Sequence, residues 1–261
     1  MKKRLDLLLV ERGLVDSRTR AQALVLEGKV RVGGQVETKA SRQVEVEVEV
    51  EVEAPPRFVS RGGEKLEGAF ALWGGAGSRI GDQGSGVKTL AVLDVREKVC
   101  LDVGSSTGGF TDCLLQHGAA FVMAVDVGTN QLAYKLRTDP RVWVRENYNA
   151  RFMRTEDLPQ VPEVAVTDVS FISLKLILPP IAAVLAPGGR IVALIKPQFE
   201  VGKGNAPGGL VRDEKLRIEA RDEIVRFAAD DLGLKLLGLA ESPIRGKEMG
   251  NVEYLSYWRK K

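Results

Sequence analysis

Residues 99–110, with the sequence VCLDVGSSTGGF, decide the fold. The first five are apolar apart from Asp102 and predict a buried strand, and residues 110–117 predict a helix. The glycines and serines between them are typical of a turn at which a ligand approaches the backbone. The spacing of Gly104, Ser106 and Gly108 departs from the G-x-G-x-x-G pattern of dinucleotide-binding enzymes, which disfavours a nicotinamide oxidoreductase.

Apolar strands and helical segments go on alternating after residue 110. Strands are predicted at 121–127, 142–144, 164–169, 191–195, 235–240 and 252–258, and helices at 174–185 and 213–232. Such alternation is typical of βαβ units that form a parallel sheet. We therefore predict a doubly wound, Rossmann-like α/β domain with a seven-stranded mixed sheet, whose last two strands are an antiparallel addition.

The first 56 residues follow a different pattern, which predicts a small α+β domain. Two short helices are expected, the second starting after Ser17 and stopped by Gly28, followed by a hairpin that turns at residues 33–34. Valine and glutamate alternate from residue 44 to 53 and predict one long strand with an acidic face. Residues 1–43 contain ten Lys or Arg and five Asp or Glu. This excess fits a nucleic-acid binder, and a solvated surface would explain it equally well.

Breaks in the pattern predict the domain boundaries. Paired prolines at 55–56 end the first domain, residues 57–63 are predicted to be a linker, and residues 64–261 form the second domain. Residues 74–86 hold six glycines and two serines and predict a flexible surface loop.

Composition excludes several classes of protein. Two cysteines in 261 residues cannot form a disulfide framework, so a cytoplasmic location is expected. The single histidine, His117, argues against a zinc site, and no metal is expected. No apolar run reaches the roughly 18 residues that span a bilayer, so no membrane partner is expected.

Charged residues lie at the carboxyl ends of four predicted strands, where an open α/β sheet binds its ligands. They are Asp102, Asp126, Asp168 and Lys196. Asp126 suits the hydroxyls of a ribose, and Lys196 is a candidate proton acceptor. Lys65 is a candidate second cation, and Glu253 a candidate for orienting or balancing the lysines. For each residue singly, a surface salt bridge is the alternative interpretation.

Five motifs resemble those of the TlyA family, also labelled haemolysin A, which are FtsJ-like rRNA methyltransferases. They lie at residues 60–66, 102–110, 168–174, 196–200 and 208–213. The resemblance covers nearly the whole chain, and residues 17–34 look like the RNA-binding module named after ribosomal protein S-four. The resemblance implies 2′-O-methylation of ribose. The implied target is a cytidine of ribosomal RNA, either as RNA or within ribosomal subunits. The resemblance also implies a catalytic Lys-Asp-Lys-Glu tetrad, which falls on Lys65, Asp168, Lys196 and Glu253.

The resemblance further implies S-adenosylmethionine as the cofactor and a set of binding residues. The expected cofactor-binding residues are Asp102, Gly104, Ser106, Thr107, Gly108, Gly109, Phe110, Asp126 and Asn149. The expected RNA-binding residues are Arg4, Arg18, Arg20, Lys29 and Arg31. A core position for Phe110 and a simple turn at Asn149 are the alternatives. For the whole chain, the alternatives are a non-enzymatic rRNA- or ribosome-binding protein and a membrane-active haemolysin.

Overall fold

The computed structural model describes residues 1–54, 56–75, 92–202, 204–246 and 250–261. Their contacts divide the chain into two units, residues 1–57 and 58–261. The predicted loop at 74–86 lies outside the described residues from residue 76 onward. Within the predicted linker, Phe58 is buried in the core of the second unit, and a helix begins at Arg61.

The described residues of the first unit form two helices and five short strands around a small apolar core. In chain order these are β1 (Lys2–Arg4), α1 (Leu5–Glu11), α2 (Arg18–Leu26), β2 (Val30–Val32), β3 (Gln35–Glu37), β4 (Gln43–Glu45) and β5 (Val50–Val52). The side chain of Ser17 accepts a hydrogen bond from the amide of Arg20 and so caps α2 as predicted. Strand β2 pairs with β3 and β5, and β1 pairs with β4, all antiparallel.

The valine–glutamate repeat does not form one long strand, so that prediction was wrong. It divides into β4 and β5, which belong to different sheets and are separated by a turn. The valines still face inward, because bending the chain lets Val44 and Val52 cover the same small core. The guanidinium of Arg12 donates to the backbone carbonyls of Val46 and Val48, which compensates for strand bonds lost at the bend.

The second unit contains the predicted seven-stranded sheet with helices on both faces. In chain order its elements are α3 (Arg61–Trp73), β6 (Val99–Val103), α4 (Gly109–Gln116), β7 (Phe121–Val125), α5 (Tyr134–Arg137), β8 (Val142–Arg145), β9 (Val164–Thr167), α6 (Leu178–Val184), β10 (Arg190–Ile195), α7 (Pro197–Glu200), α8 (Glu214–Asp230), β11 (Lys235–Glu241) and β12 (Tyr254–Arg259). The helix predicted at 174–185 starts late, because Pro179 and Pro180 fit only the first turn of α6; a short 3₁₀ helix, Leu174–Leu176, precedes it.

The strand order in this sheet is β11-β12-β10-β9-β6-β7-β8. The strands from β10 to β8 are parallel, and β12 runs antiparallel between β10 and β11. The chain order reverses between β6 and β9, and such a reversal opens a crevice beyond the carboxyl ends of the strands.

Alternate residues of each strand supply two separate cores. On β6, Cys100 packs with α3 and α4, whereas Leu101 packs with α6 and α8 on the other face. Cys100 and Cys113 are both buried, and burial raises the pKa of the Cys100 thiol to about 12. In the described part of the chain, no helix is long and apolar enough to cross a bilayer.

Candidate active site

Two adjoining cavities lie at the crevice beyond the parallel strands. Their volumes are about 820 and 550 Å³. The residues that line both are Gly104, Ser106, Asp168, Ser170 and Phe171. Lys65, Lys196 and Glu253 line the larger cavity, whereas Asp126 and Asn149 line the smaller one. The two cavities therefore meet at Asp168.

Four charged side chains form a buried cluster between these cavities. Lys196 Nζ lies 2.6 Å from Asp168 Oδ1, and Lys65 Nζ lies 3.4 Å from Asp168 Oδ2. Lys65 Nζ also lies 2.8 Å from Glu253 Oε2. The exposed side-chain fractions are 8% for Lys196 and 3% for Glu253, so water screens these charges weakly. Asp168 thus bridges the two lysines, and Lys65 bridges the two carboxylates.

The fold explains how residues far apart in the chain meet here. Lys196 directly follows β10, and Glu253 directly precedes β12. These strands are antiparallel with Ile195 opposite Tyr254, so Lys196 and Glu253 emerge at the same edge of the sheet. Lys65 belongs to the second turn of α3, which packs against the start of α4, where the glycine-rich turn ends.

Two positions of the glycine-rich turn, residues 104 and 108, can be occupied only by glycine. Gly104 and Gly108 have φ values of +82° and +95°. A Cβ at Gly108 would lie 2.3 Å from Leu136, and one at Gly104 would lie 2.9 Å from Val169. Thr107, Gly109 and Phe110 line the larger cavity, and Phe110 is also buried in the core.

Asp126 is fixed by the turn and still has room for a ligand. Its carboxylate accepts hydrogen bonds from the amides of Ser106 and Gly128, each at 2.7 Å and each to a different oxygen. Each carboxylate oxygen has a second acceptor position, which suits a pair of ribose hydroxyls. Asn149 lines the same cavity, and its side chain also accepts from the amide of Arg151, so it both caps a turn and faces the cavity.

Asp102 lies beneath the turn and lines neither cavity. It is fully buried and accepts a hydrogen bond from the hydroxyl of Thr111 at 2.7 Å. Burial raises the pKa of Asp102 to about 7. The structure therefore places this residue as a support of the turn.

Sequence reasoning did not single out several residues that line the site. Ser170 accepts a hydrogen bond from Lys196 Nζ at 2.8 Å. Phe171 lines both cavities with 86% of its surface exposed, in the left-handed region at φ +64°. Gln198 Nε2 lies 3.5 Å from Glu253 Oε1. All three lie within the motifs at residues 168–174 and 196–200, but their residue types alone do not distinguish them from their neighbours.

The five basic residues predicted to bind RNA all lie at the surface of the first unit, exposed or half-buried. Arg4 and Arg18 both donate to Asp6. Lys29 pairs with Glu27 at 2.8 Å, and Arg31 donates to the carbonyl of Gly34 at 3.2 Å.

The fold and the site define the class of Rossmann-like methyltransferases. The family model of FtsJ-like methyltransferases matches residues 58–260, and that of the S4 domain matches residues 3–50. The chain thus belongs to the FtsJ-like methyltransferase family and has an S4 domain at its N-terminal end. The predicted resemblance is confirmed.

Similar proteins extend over nearly the whole chain. YqxC of Bacillus subtilis is 43% identical over 257 residues, which cover 97% of this chain and 84% of that protein. TlyA of Mycobacterium tuberculosis, named a 16S/23S rRNA (cytidine-2′-O)-methyltransferase, is 41% identical over 259 residues, covering 98% of this chain and 89% of that protein. A Streptococcus thermophilus structure that bears the name hemolysin is 40% identical with a TM-score of 0.71, and the match covers 100% of this chain and 89% of that one.

Proposed function

We propose that the protein transfers a methyl group from S-adenosylmethionine to the ribose 2′-oxygen of a cytidine in ribosomal RNA. The observation that carries this proposal is the buried cluster of Lys65, Asp168, Lys196 and Glu253 where two cavities meet. The printed name of the Mycobacterium tuberculosis relative supports cytidine and ribosomal RNA as the target.

The residues of the smaller cavity fit the cofactor. Asp126 would bind its ribose hydroxyls and Asn149 its adenine, and Gly104 and Ser106 of the turn would lie against it. When bound, the cofactor supplies an electrophilic methyl group on a sulfonium.

The larger cavity would receive the target nucleotide. Lys196 would orient the ribose 2′-hydroxyl and receive its proton. Asp168, at 2.6 Å, would then stabilise the ammonium that forms, while Lys65 balances Asp168 and Glu253. The 2′-oxygen that has given up this proton would be the nucleophile. Holding that oxygen in place supplies much of the acceleration, because a bimolecular step becomes effectively unimolecular.

The test uses ribosomal RNA and ribosomal subunits with cofactor labelled in the methyl group. Lys196→Ala should lower the single-turnover rate by about 10²–10⁴-fold, the usual contribution of a positioned acid or base. Calorimetry should give the same cofactor affinity for this variant, because Lys196 does not line the smaller cavity.

Lys175→Ala is the matched control, since Lys175 pairs with Glu223 and lines neither cavity. It should transfer methyl groups at the wild-type rate. Wild-type activity in Lys196→Ala, or no transfer by the wild type to either substrate, would contradict the proposal.

A further inference from the structure

Asp6 is a charged side chain in the apolar core of the S4 domain. It belongs to the first turn of α1, its surface is 0% exposed, and its neighbours Leu5, Leu8 and Leu9 form the core. A carboxylate in such a place requires hydrogen-bond donors, because burial without them is costly.

Asp6 has four donors, and three of them belong to two arginines. Arg4 donates from Nε to Oδ1 at 3.0 Å and from Nη2 to Oδ2 at 2.8 Å. Arg18 donates from Nε to Oδ2 at 3.0 Å, and Gln22 donates to the same oxygen at 2.8 Å. The hydrogen bonds from Arg4 are the main reason that the pKa of Asp6 lies well below its usual range, so Asp6 is ionised at neutral pH.

The two guanidinium groups face solvent on their other sides. Because both contact Asp6 Oδ2, they lie side by side. Arg4 is 35% exposed and Arg18 is 53% exposed. In the described part of the chain, Nη1 of Arg4 and both Nη atoms of Arg18 have no hydrogen-bond partner. Free guanidinium N–H groups in a fixed orientation match the geometry of a phosphate.

We propose that Asp6 is a positioning residue, which holds Arg4 and Arg18 side by side so that both contact one backbone phosphate of RNA. The proposal rests on RNA being the substrate. An arginine side chain loses considerable rotamer freedom when it binds a phosphate, and this loss opposes binding. Because Asp6 already orders both arginines in the folded protein, the loss does not occur again when RNA binds.

Charge and preorganisation predict opposite effects of removing Asp6. If only charge mattered, Asp6→Asn would strengthen RNA binding, because a negative charge near the phosphate disappears. If Asp6 positions the arginines, the same change weakens binding, since an amide group places its own N–H donors against theirs. The sign of the change therefore separates the two explanations.

Glu37 provides a matched control in the same domain. It is another largely buried carboxylate, which accepts from the amides of Thr38 and Lys39 and pairs with Arg42. Glu37→Gln removes the same charge and a comparable set of hydrogen bonds, but it leaves Arg4 and Arg18 in place.

The experiment measures the affinity of the full chain for fluorescently labelled small-subunit ribosomal RNA at fixed salt. Asp6→Asn should weaken binding about tenfold, whereas Glu37→Gln should not weaken it. In a background with Arg4→Ala and Arg18→Ala, Asp6→Asn should have no further weakening effect.

The proposal is overturned if Asp6→Asn binds as tightly as the wild type or more tightly. It is also overturned if Glu37→Gln weakens binding equally, or if the loss persists without the arginines, since either result indicates general destabilisation. If Asp6→Asn does not fold, Arg18→Lys gives the same test: it keeps the charge, should weaken binding several-fold, and overturns the proposal if it does not. Methyl transfer by the wild type is measured separately, so failure of the proposed reaction is distinguishable from failure of this site.

Discussion

Replacing Lys65 by methionine tests how strongly the buried charges depend on one another. Lys65 Nζ lies 2.8 Å from Glu253 Oε2, and the two side chains are 11% and 3% exposed. The change would leave the Glu253 carboxylate buried without its cation. Removing one partner of a buried pair costs about 3–5 kcal/mol, so we expect the free energy of unfolding to fall by that amount. Asp168 would keep its contact with Lys196.

Removing both charges should cost much less than the two single changes together. Lys65→Met combined with Glu253→Gln leaves no uncompensated charge, so we expect about 1–2 kcal/mol of destabilisation and a coupling of at least about 2 kcal/mol. Urea unfolding followed by tryptophan fluorescence is the assay, because the three tryptophans (Trp73, Trp143 and Trp258) all belong to the second unit. Methyl transfer should be abolished both in Lys65→Met and in the double variant, because neither has the Lys65 ammonium beside Asp168.

Asp94 and Arg96 provide an exposed pair at the same distance for comparison. They also lie 2.8 Å apart, but their side chains are 36% and 76% exposed. Exposed pairs contribute about 0–1 kcal/mol. A comparison of the single and double variants of this pair should therefore give a coupling free energy in that range. If the Lys65 and Glu253 changes prove additive, or if their coupling is as small as that of the exposed pair, the reasoning about a buried cluster is refuted.

Two further changes test the mouth of the site and the base of the turn. Phe171→Ala should lower kcat/KM for RNA about 5–100-fold in single-turnover kinetics, the usual effect of removing a base-stacking aromatic. Phe152→Ala should not lower it, because Phe152 is also exposed, at 69%, but lines neither cavity. Burial raises the pKa of Asp102 to about 7, so its contribution to stability is complete below about pH 4 and is lost as the pH rises through 7. Between about pH 4 and 7, the unfolding free energy of the wild type should fall relative to that of Asp102→Asn by up to about 1.4 kcal/mol per pH unit. Urea titrations of both proteins measure this difference, and a difference that stays constant with pH would contradict the prediction.

The alternation of apolar strands and helices was sufficient to predict the sheet and one side of the site. Parallel strands end at the same edge, so Asp168 and Lys196 could be placed together from their positions alone. The same pattern failed at residues 44–53, because alternation fixes which face a valine occupies but not whether the strand is continuous. There the small core requires the chain to bend between β4 and β5.

Contacts between distant residues could not be derived from local patterns. Lys65 and Glu253 are 188 residues apart, and they meet because β12 enters the sheet between β10 and β11. Nothing in the local sequence of β12 specifies that insertion. Both residues were candidates from the sequence, and the resemblance assigned them to one tetrad. The roles of Asp6 and Asp102 were equally hidden, since burial of a carboxylate depends on what packs over it.

The chemical identity of the methylated product tests the proposed activity most directly. Ribosomal RNA treated with the protein and labelled cofactor can be digested to nucleosides and separated by chromatography with mass detection. We expect the label in 2′-O-methylcytidine, and none when Lys196→Ala replaces the wild type. Label in a base-methylated nucleoside would show that the cluster of Lys65, Asp168, Lys196 and Glu253 does not act on a ribose oxygen.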